Sequence, residues 1–65
     1  MVTKLKIRRI EQGIKQKDLA KVAGITTQYL YNLESGKAKN PSIPVMKKLA
    51  VALDDSVENL FIKES

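Results

Sequence analysis

The chain has 65 residues, with twelve lysines and arginines, seven acidic residues and a formal net charge of +5. It contains no cysteine and no histidine, so it lacks disulfides, the usual zinc ligands, the commonest general base and the best nucleophile. We therefore expect no enzyme, no metal and no cofactor. The longest apolar run, Leu49–Leu53, is too short to span a membrane, and the first residues lack a signal-peptide core. These features predict a cytoplasmic protein.

The positive charge is concentrated in the first two thirds of the chain. Residues 1–41 carry nine lysines and arginines against three acidic residues, whereas residues 42–65 carry three against four. This asymmetry indicates a polyanionic partner, and nucleic acid is the first candidate. A surface of ordinary solvated lysines is the alternative interpretation of the charge alone.

Turn signals divide the chain into five short segments with helical periodicity. They run from about Val2 to Gln12, from Gln16 to about Ala23, from the cap Thr26 to about Glu34, from the cap Ser42 to Leu53, and from the cap Ser56 through Phe61. The pattern predicts a single all-α domain of five helices over residues 1–65. The glycine-led connection at 24–26 has the length of a helix-turn-helix link, which predicts that motif at about residues 16–35.

The third segment presents an uncharged polar face. Leu30 and Leu33 mark its buried side. The opposite side carries Thr27, Gln28, Tyr31 and Asn32. Glutamine and asparagine amides each combine a donor with an acceptor, which matches N7 and N6 of adenine in the major groove. Because a merely solvated helix face normally carries lysine and glutamate, this face favours base reading.

Side chains suited to phosphate groups lie on either side of that segment. Gln16 opens the second segment, where free backbone N–H groups and the helix dipole favour an anion. Lys37 and Lys39 follow the third segment in a loop that begins with glycine. Contacts of this kind hold a protein on DNA without reading its sequence.

Together these residues resemble the XRE family, the helix-turn-helix domains of phage repressors and Cro proteins. The resemblance rests on runs 13–20 and 33–37, on Gly24 and Thr26, and on residues 40–42, and it covers about residues 5–61. It implies a five-helix phage-repressor-like fold whose recognition helix lies at about 27–34. It also implies a transcriptional regulator that binds double-stranded operator DNA as a homodimer and acts as a repressor.

The resemblance also implies roles for individual residues. Bases would be read by Thr27, Gln28 and Asn32, with Tyr31 on the same face. Phosphates would be bound by Gln16, Thr26, Lys37 and Lys39. Arg9 and Glu34 match positions that commonly form an ion pair, which we expect to be structural. An outward-facing Arg9 would instead contact a phosphate.

Several positions depart from the family pattern, including the two large side chains of Tyr29 and Tyr31 on the third segment. Lys15 stands where a serine or threonine usually caps the second helix, so that helix start is expected to be weaker. Asp54 and Asp55 occupy the place of a common glycine and apolar pair. Arg8 occupies a place that is often apolar.

The last segment carries more apolar side chains than one short helix needs. They are Val57, Leu60, Phe61 and Ile62. We expect part of this surface to contact a second copy, since symmetric dimers are the default oligomer. Closure of the monomer's own core is the alternative for each residue. Two other functions stay open, a protein-interaction module such as an antitoxin or accessory subunit, and a non-specific architectural DNA binder. No feature indicates a small-molecule ligand.

Overall fold

The computed structural model describes residues 3–62, which form four α-helices and a terminal π-helix. The helices are α1 (Lys4–Glu11), α2 (Gln16–Ala23), α3 (Thr27–Ser35), α4 (Ile43–Ala52) and the π-helix (Glu58–Ile62). The predicted all-α class with five helices is confirmed. Within residues 3–62, no helix has the length and apolar character needed to cross a bilayer.

The first and the last helix differ in detail from the sequence prediction. Helix α1 begins at Lys4 because the hydroxyl of Thr3 accepts the backbone N–H of Lys6 at 3.2 Å, which caps the first turn. Val2, the predicted start, lies outside the described residues. The last segment is a π-helix rather than a short α-helix. Five residues are too few for a hydrophobic pattern to distinguish the two helix types.

Each α-helix contributes one leucine to the centre of the core. Leu5, Leu19, Leu30 and Leu49 are each at most 2% exposed. Helix α2 packs against α3 and α4, while α1 packs against α3 and the π-helix. Helix α3 therefore packs against both α1 and α2 through its apolar face, and its polar face is directed outward.

The link between α2 and α3 is short because Gly24 adopts a left-handed backbone, with φ of +71°. This turn lets the N–H of Ile25 donate to the carbonyl of Ala20 at 3.0 Å. The hydroxyl of Thr26 then accepts the N–H of Tyr29 at 3.0 Å and starts α3. The two helices are thus joined at a defined angle.

Arg8 and Asp54 account for two of the departures from the family pattern. The Nε of Arg8 donates to the carbonyl of Leu53 at 3.0 Å, and its Nη2 donates to the carbonyl of Asp54 at 3.1 Å. A cation at this place also complements the negative end of the α4 dipole. Asp54 has φ of +53°, so an aspartate adopts the left-handed conformation that glycine commonly supplies.

The four apolar residues of the last segment have different environments. Leu60 is 6% exposed and belongs to the core, while Val57 and Phe61 are half-buried and pack against it. Ile62 is 67% exposed. Leu60 therefore serves the closure of the monomer core, and Ile62 is the most accessible of the four for a second copy.

Asp55 holds the turn after α4 through its carboxylate. Its Oδ1 accepts the backbone N–H of Ser56 at 2.7 Å, and both its oxygens accept from Nδ2 of Asn59. The hydrogen bond from Ser56 is the largest influence on the Asp55 pKa, and the hydrogen bond from Asn59 is the next; the charges of Arg8 and Lys4 lower this pKa by smaller amounts. Together they outweigh partial burial and hold this pKa below its ordinary value of 3.8.

We predict that the Asp55→Asn variant will lose less stability than the parent chain in acid. Because the folded pKa is depressed, ionised Asp55 stabilises the fold above about pH 3.8, and this contribution is lost as the pH falls through the folded pKa. Urea unfolding between pH 6 and 2 measures the difference. Asp54→Asn, whose side chain makes none of these hydrogen bonds, is the control. Parallel pH curves for the parent and Asp55→Asn would contradict the prediction.

Candidate nucleic-acid interface

The outward face of α3 forms a shallow cleft with the first residue of α2. Gln16, Thr27, Gln28 and Tyr31 line this cleft, whose volume is about 300 Å³. Thr27, Gln28 and Tyr31 are exposed, whereas Asn32, one turn beyond Gln28, is half-buried. The fold therefore brings Gln16 beside three of the four residues predicted to read bases.

The two amides on this face are hydrogen-bonded to each other. Nε2 of Gln28 donates to Oδ1 of Asn32 at 3.1 Å, as the spacing of four residues on a helix permits. Gln28 keeps its Oε1 and a second N–H, so it still offers an acceptor beside a donor. Asn32, whose oxygen is engaged, offers its two N–H donors. This bond is not among the contacts predicted from the sequence, although the spacing of four residues is a local signal for it.

The first turn of α2 has no side-chain cap. Lys15 occupies the N-cap position with an extended backbone, and its side chain makes no capping hydrogen bond, as its residue type predicts. No group within residues 3–62 accepts the backbone N–H of Gln16 or Lys17. These donors point out of the positive end of the helix dipole, which is the arrangement that binds anions.

An ion pair lies buried behind the cleft. Glu34 is 1% exposed, and its Oε2 accepts from Nε of Arg9 at 2.6 Å while its Oε1 accepts from Nη2 at 3.1 Å. Nη1 of Arg9 donates to the carbonyl of Ile14 at 2.9 Å. All three guanidinium nitrogens are thus engaged within the chain. The geometry agrees with a structural role for Arg9, because its guanidinium is directed at Glu34 and Ile14 inside the fold.

Gln16 connects that ion pair to the cleft. Its Nε2 donates to Oε1 of Glu34 at 3.1 Å, the same oxygen that accepts from Arg9. Gln16 is predicted from the sequence to bind a phosphate, and its contact with Glu34 is not predicted. No local pattern indicates it, because the two residues are 18 positions apart and come together only through the packing of α2 on α3.

The other predicted phosphate ligands lie at the two ends of α3. Thr26 is exposed at the start, and its capping hydroxyl can still donate its hydrogen. Lys37 and Lys39 are exposed beyond the end, and neither forms an ion pair with any described acidic residue. The N–H of Ala38 donates to the carbonyl of Asn32 at 3.0 Å and holds their loop against α3.

The family model described as helix-turn-helix matches residues 5–58 of the chain. The chain belongs to the XRE-type helix-turn-helix family. A relative in Bacillus subtilis, the transcriptional regulator SinR, is 37% identical over 57 residues, which are 88% of this chain and 51% of SinR. The chain thus spans about half the length of that relative. The family consists of transcriptional regulators rather than enzymes.

Solved structures of helix-turn-helix proteins have the same fold. The N-terminal DNA-binding domain of B. subtilis SinR matches with a TM-score of 0.82 and 36% identity, covering 94% of this chain and 87% of that domain. A crystal structure of SinR in complex with DNA matches with a TM-score of 0.78 and 38% identity, covering 86% and 89%. Within residues 3–62, no cluster of acidic side chains could hold a metal ion.

We predict that Arg9→Met destabilises the fold by about 3–5 kcal/mol, because it leaves the buried Glu34 carboxylate without its cation. Urea unfolding monitored by circular dichroism measures the loss. Lys6→Met, a comparable change on the same helix, is the control because the Lys6 side chain makes no hydrogen bond or ion pair with the part of the chain that the structure describes. A loss below about 1 kcal/mol, in the range of an exposed ion pair, would contradict a stabilising role for the pair.

Proposed function

We propose that this chain is a sequence-specific regulator of transcription that binds double-stranded DNA. In this proposal it acts as a homodimeric repressor and reads an inverted repeat through the major groove. The observation that carries the proposal is the exposed, uncharged amide face of α3 beside the uncapped first turn of α2. Such a regulator acts where the chromosome lies, so the proposal includes a cytoplasmic location.

The amide face supports base reading. The major groove is about 12 Å wide and admits an α-helix, which brings its outward side chains to the base edges. Gln28 keeps an acceptor beside a donor, the combination that fits adenine. Asn32 offers donors that fit the acceptors of guanine or O4 of thymine. Thr27 and Tyr31 complete the face at its two edges.

Groups suited to phosphates lie on both sides of this face. Thr26 lies at the start of α3, and Lys37 and Lys39 lie beyond its end. Gln16, at the open first turn of α2, adjoins the cleft and reaches Glu34 near the end of α3. The nine residues of α3 separate Thr26 from Lys37 and Lys39 by about 13 Å. That separation is similar to the width of the major groove, so both groups can contact the backbone while α3 lies between the strands.

The dimensions of the chain suit one half of a two-fold site. Its extents are 27 × 23 × 22 Å, whereas half-sites one turn of DNA apart are separated by about 34 Å. Each copy can therefore cover one half-site, with the exposed Ile62 available for contact between copies. We expect the two half-sites to form an inverted repeat, with an A·T pair opposite Gln28 in each half-site.

Selection from a random duplex DNA library tests the function, followed by titration of the selected duplexes with salt. Enrichment of an inverted repeat supports a dimeric, base-reading regulator. A steep salt dependence without any enriched sequence would show backbone binding alone, as in an architectural protein. Absence of binding would contradict the proposal altogether.

We predict that Asn32→Ala and Gln28→Ala each weaken binding to the selected duplex by about 1–3 kcal/mol and leave binding to random DNA unchanged, because both lose base contacts. Lys37→Ala is the contrasting variant. It should weaken both kinds of duplex and reduce the salt slope by about one, since it removes a phosphate contact. Fluorescence anisotropy at several salt concentrations measures all three. Equal losses on both duplexes for Asn32→Ala would contradict base reading by that residue.

A protein-interaction module is the second candidate function, and one surface favours it. Exposed Val22 and Val51 form an apolar depression of about 250 Å³ with Lys47 and Lys48. Neither lysine has an acidic partner among residues 3–62, so the surface complements an acidic segment of a protein partner with apolar side chains. This candidate predicts tight binding of such a segment and little salt-sensitive affinity for DNA.

A further inference from the structure

We propose that Glu34 is a positioning residue for DNA binding, in addition to its part in the core. Its carboxylate holds the side-chain amide of Gln16 in the orientation that a DNA phosphate requires. The buried ion pair would thereby be coupled to a contact with the DNA backbone. The inference deepens the proposed function and rests on it.

The chemistry of the carboxylate fixes the orientation of the Gln16 amide. An ionised carboxylate only accepts hydrogen bonds, so Nε2 of Gln16, and not its oxygen, must face Glu34. Of the two ways in which the amide can be turned, one is therefore selected. The second N–H on Nε2 remains for a ligand at the cleft, close to the uncapped N–H groups of α2.

Arg9 makes this arrangement compatible with a nearby phosphate. An unpaired carboxylate behind the cleft would repel the DNA backbone. The bidentate contact from Arg9 supplies an opposite charge at 2.6 and 3.1 Å, so Glu34 can accept from Gln16 without presenting a net negative charge. Glu34 is 1% exposed, which keeps water from competing for the same oxygen.

The expected consequence is preorganisation. A free glutamine side chain loses rotamer freedom when it binds, whereas Gln16 is already held in the unbound protein, so less entropy is lost on binding DNA. Because a phosphate is the same in every sequence, this gain should be equal on operator and on random duplexes. That pattern distinguishes positioning of Gln16 from any effect on the base-reading face.

A double-mutant cycle with Gln16→Met and Glu34→Met tests the coupling, because methionine at position 34 has no oxygen to accept from Gln16. The dissociation constants of the parent chain, both single variants and the double variant are measured with the selected operator duplex and with a random duplex of equal length. Loss of the Glu34 charge alters the affinity electrostatically by the same factor in both backgrounds, so that effect cancels in the cycle. Thermal unfolding verifies that each variant is folded.

We expect Gln16 and Glu34 to be coupled by a factor of about three to ten in the dissociation constant, which corresponds to one hydrogen bond. The factor should be equal on both duplexes. Gln12→Met combined with Glu34→Met is the matched control, because Gln12 is exposed and its side chain has no hydrogen bond to any of residues 3–62. Its coupling should be absent. A coupling below about twofold for Gln16 and Glu34 would overturn the proposal, as would a coupling confined to the operator duplex.

Side-chain NMR of the parent chain without DNA supplies a test that needs no variant to fold. We expect one Nε2 proton of Gln16 to exchange with water at least several-fold more slowly than the amide protons of Gln12. Equal exchange rates would overturn positioning by Glu34. If the parent chain binds no DNA, the proposed function fails, whereas the exchange rates still show whether Glu34 holds Gln16.

Discussion

The ion pair between Arg9 and Glu34 is the contact on which the arrangement of the helices depends. Arg9 belongs to α1 and Glu34 to the end of α3, and the guanidinium also binds the carbonyl of Ile14 in the link to α2. The hydroxyl of Thr3 donates to the backbone carbonyl of Glu34 at 2.9 Å. A chain of 65 residues without disulfides has a small core, so these directional contacts determine how α3 is turned.

The orientation of α3 explains why its polar face can be free of charge. Leu30 and Leu33 anchor the inner face among the core leucines, so the outer face is not required for stability. Gln28 and Asn32 orient each other through one hydrogen bond and keep unused donors and an acceptor. A face built in this way contributes little to folding and is suited to recognition by hydrogen bonding.

The start of α2 shows a similar division between stability and function. A serine or threonine cap would stabilise the helix by about 1 kcal/mol and would occupy an N–H of the first turn. With Lys15 at that position, the N–H groups of Gln16 and Lys17 remain open for an anion. In the proposed function, the missing cap lowers the stability of this helix end and leaves its N–H groups available to bind a phosphate. The cap at Thr26 and the contacts of Arg8 stabilise the helix ends where no such site is required.

The sequence by itself determined the helices and the face of α3 that points outward. Gly24, Thr26 and Ser42 mark helix ends through local backbone chemistry, and the spacing of Leu30 and Leu33 indicates the buried side of α3. The bond between Gln28 and Asn32 was also within reach of sequence reasoning, because residues four apart are neighbours on any α-helix. All these features arise within one or two turns of chain.

Only the tertiary structure decided which distant groups meet. Gln16 reaches Glu34 across 18 positions, and Arg8 reaches the carbonyl of Leu53 across 45. It likewise decided that Leu60 is buried whereas Ile62 is exposed, although both had looked equally suited to a second copy. The physical reason is that side-chain periodicity records which face of a helix is apolar, whereas the partner of a given polar atom depends on how whole helices pack.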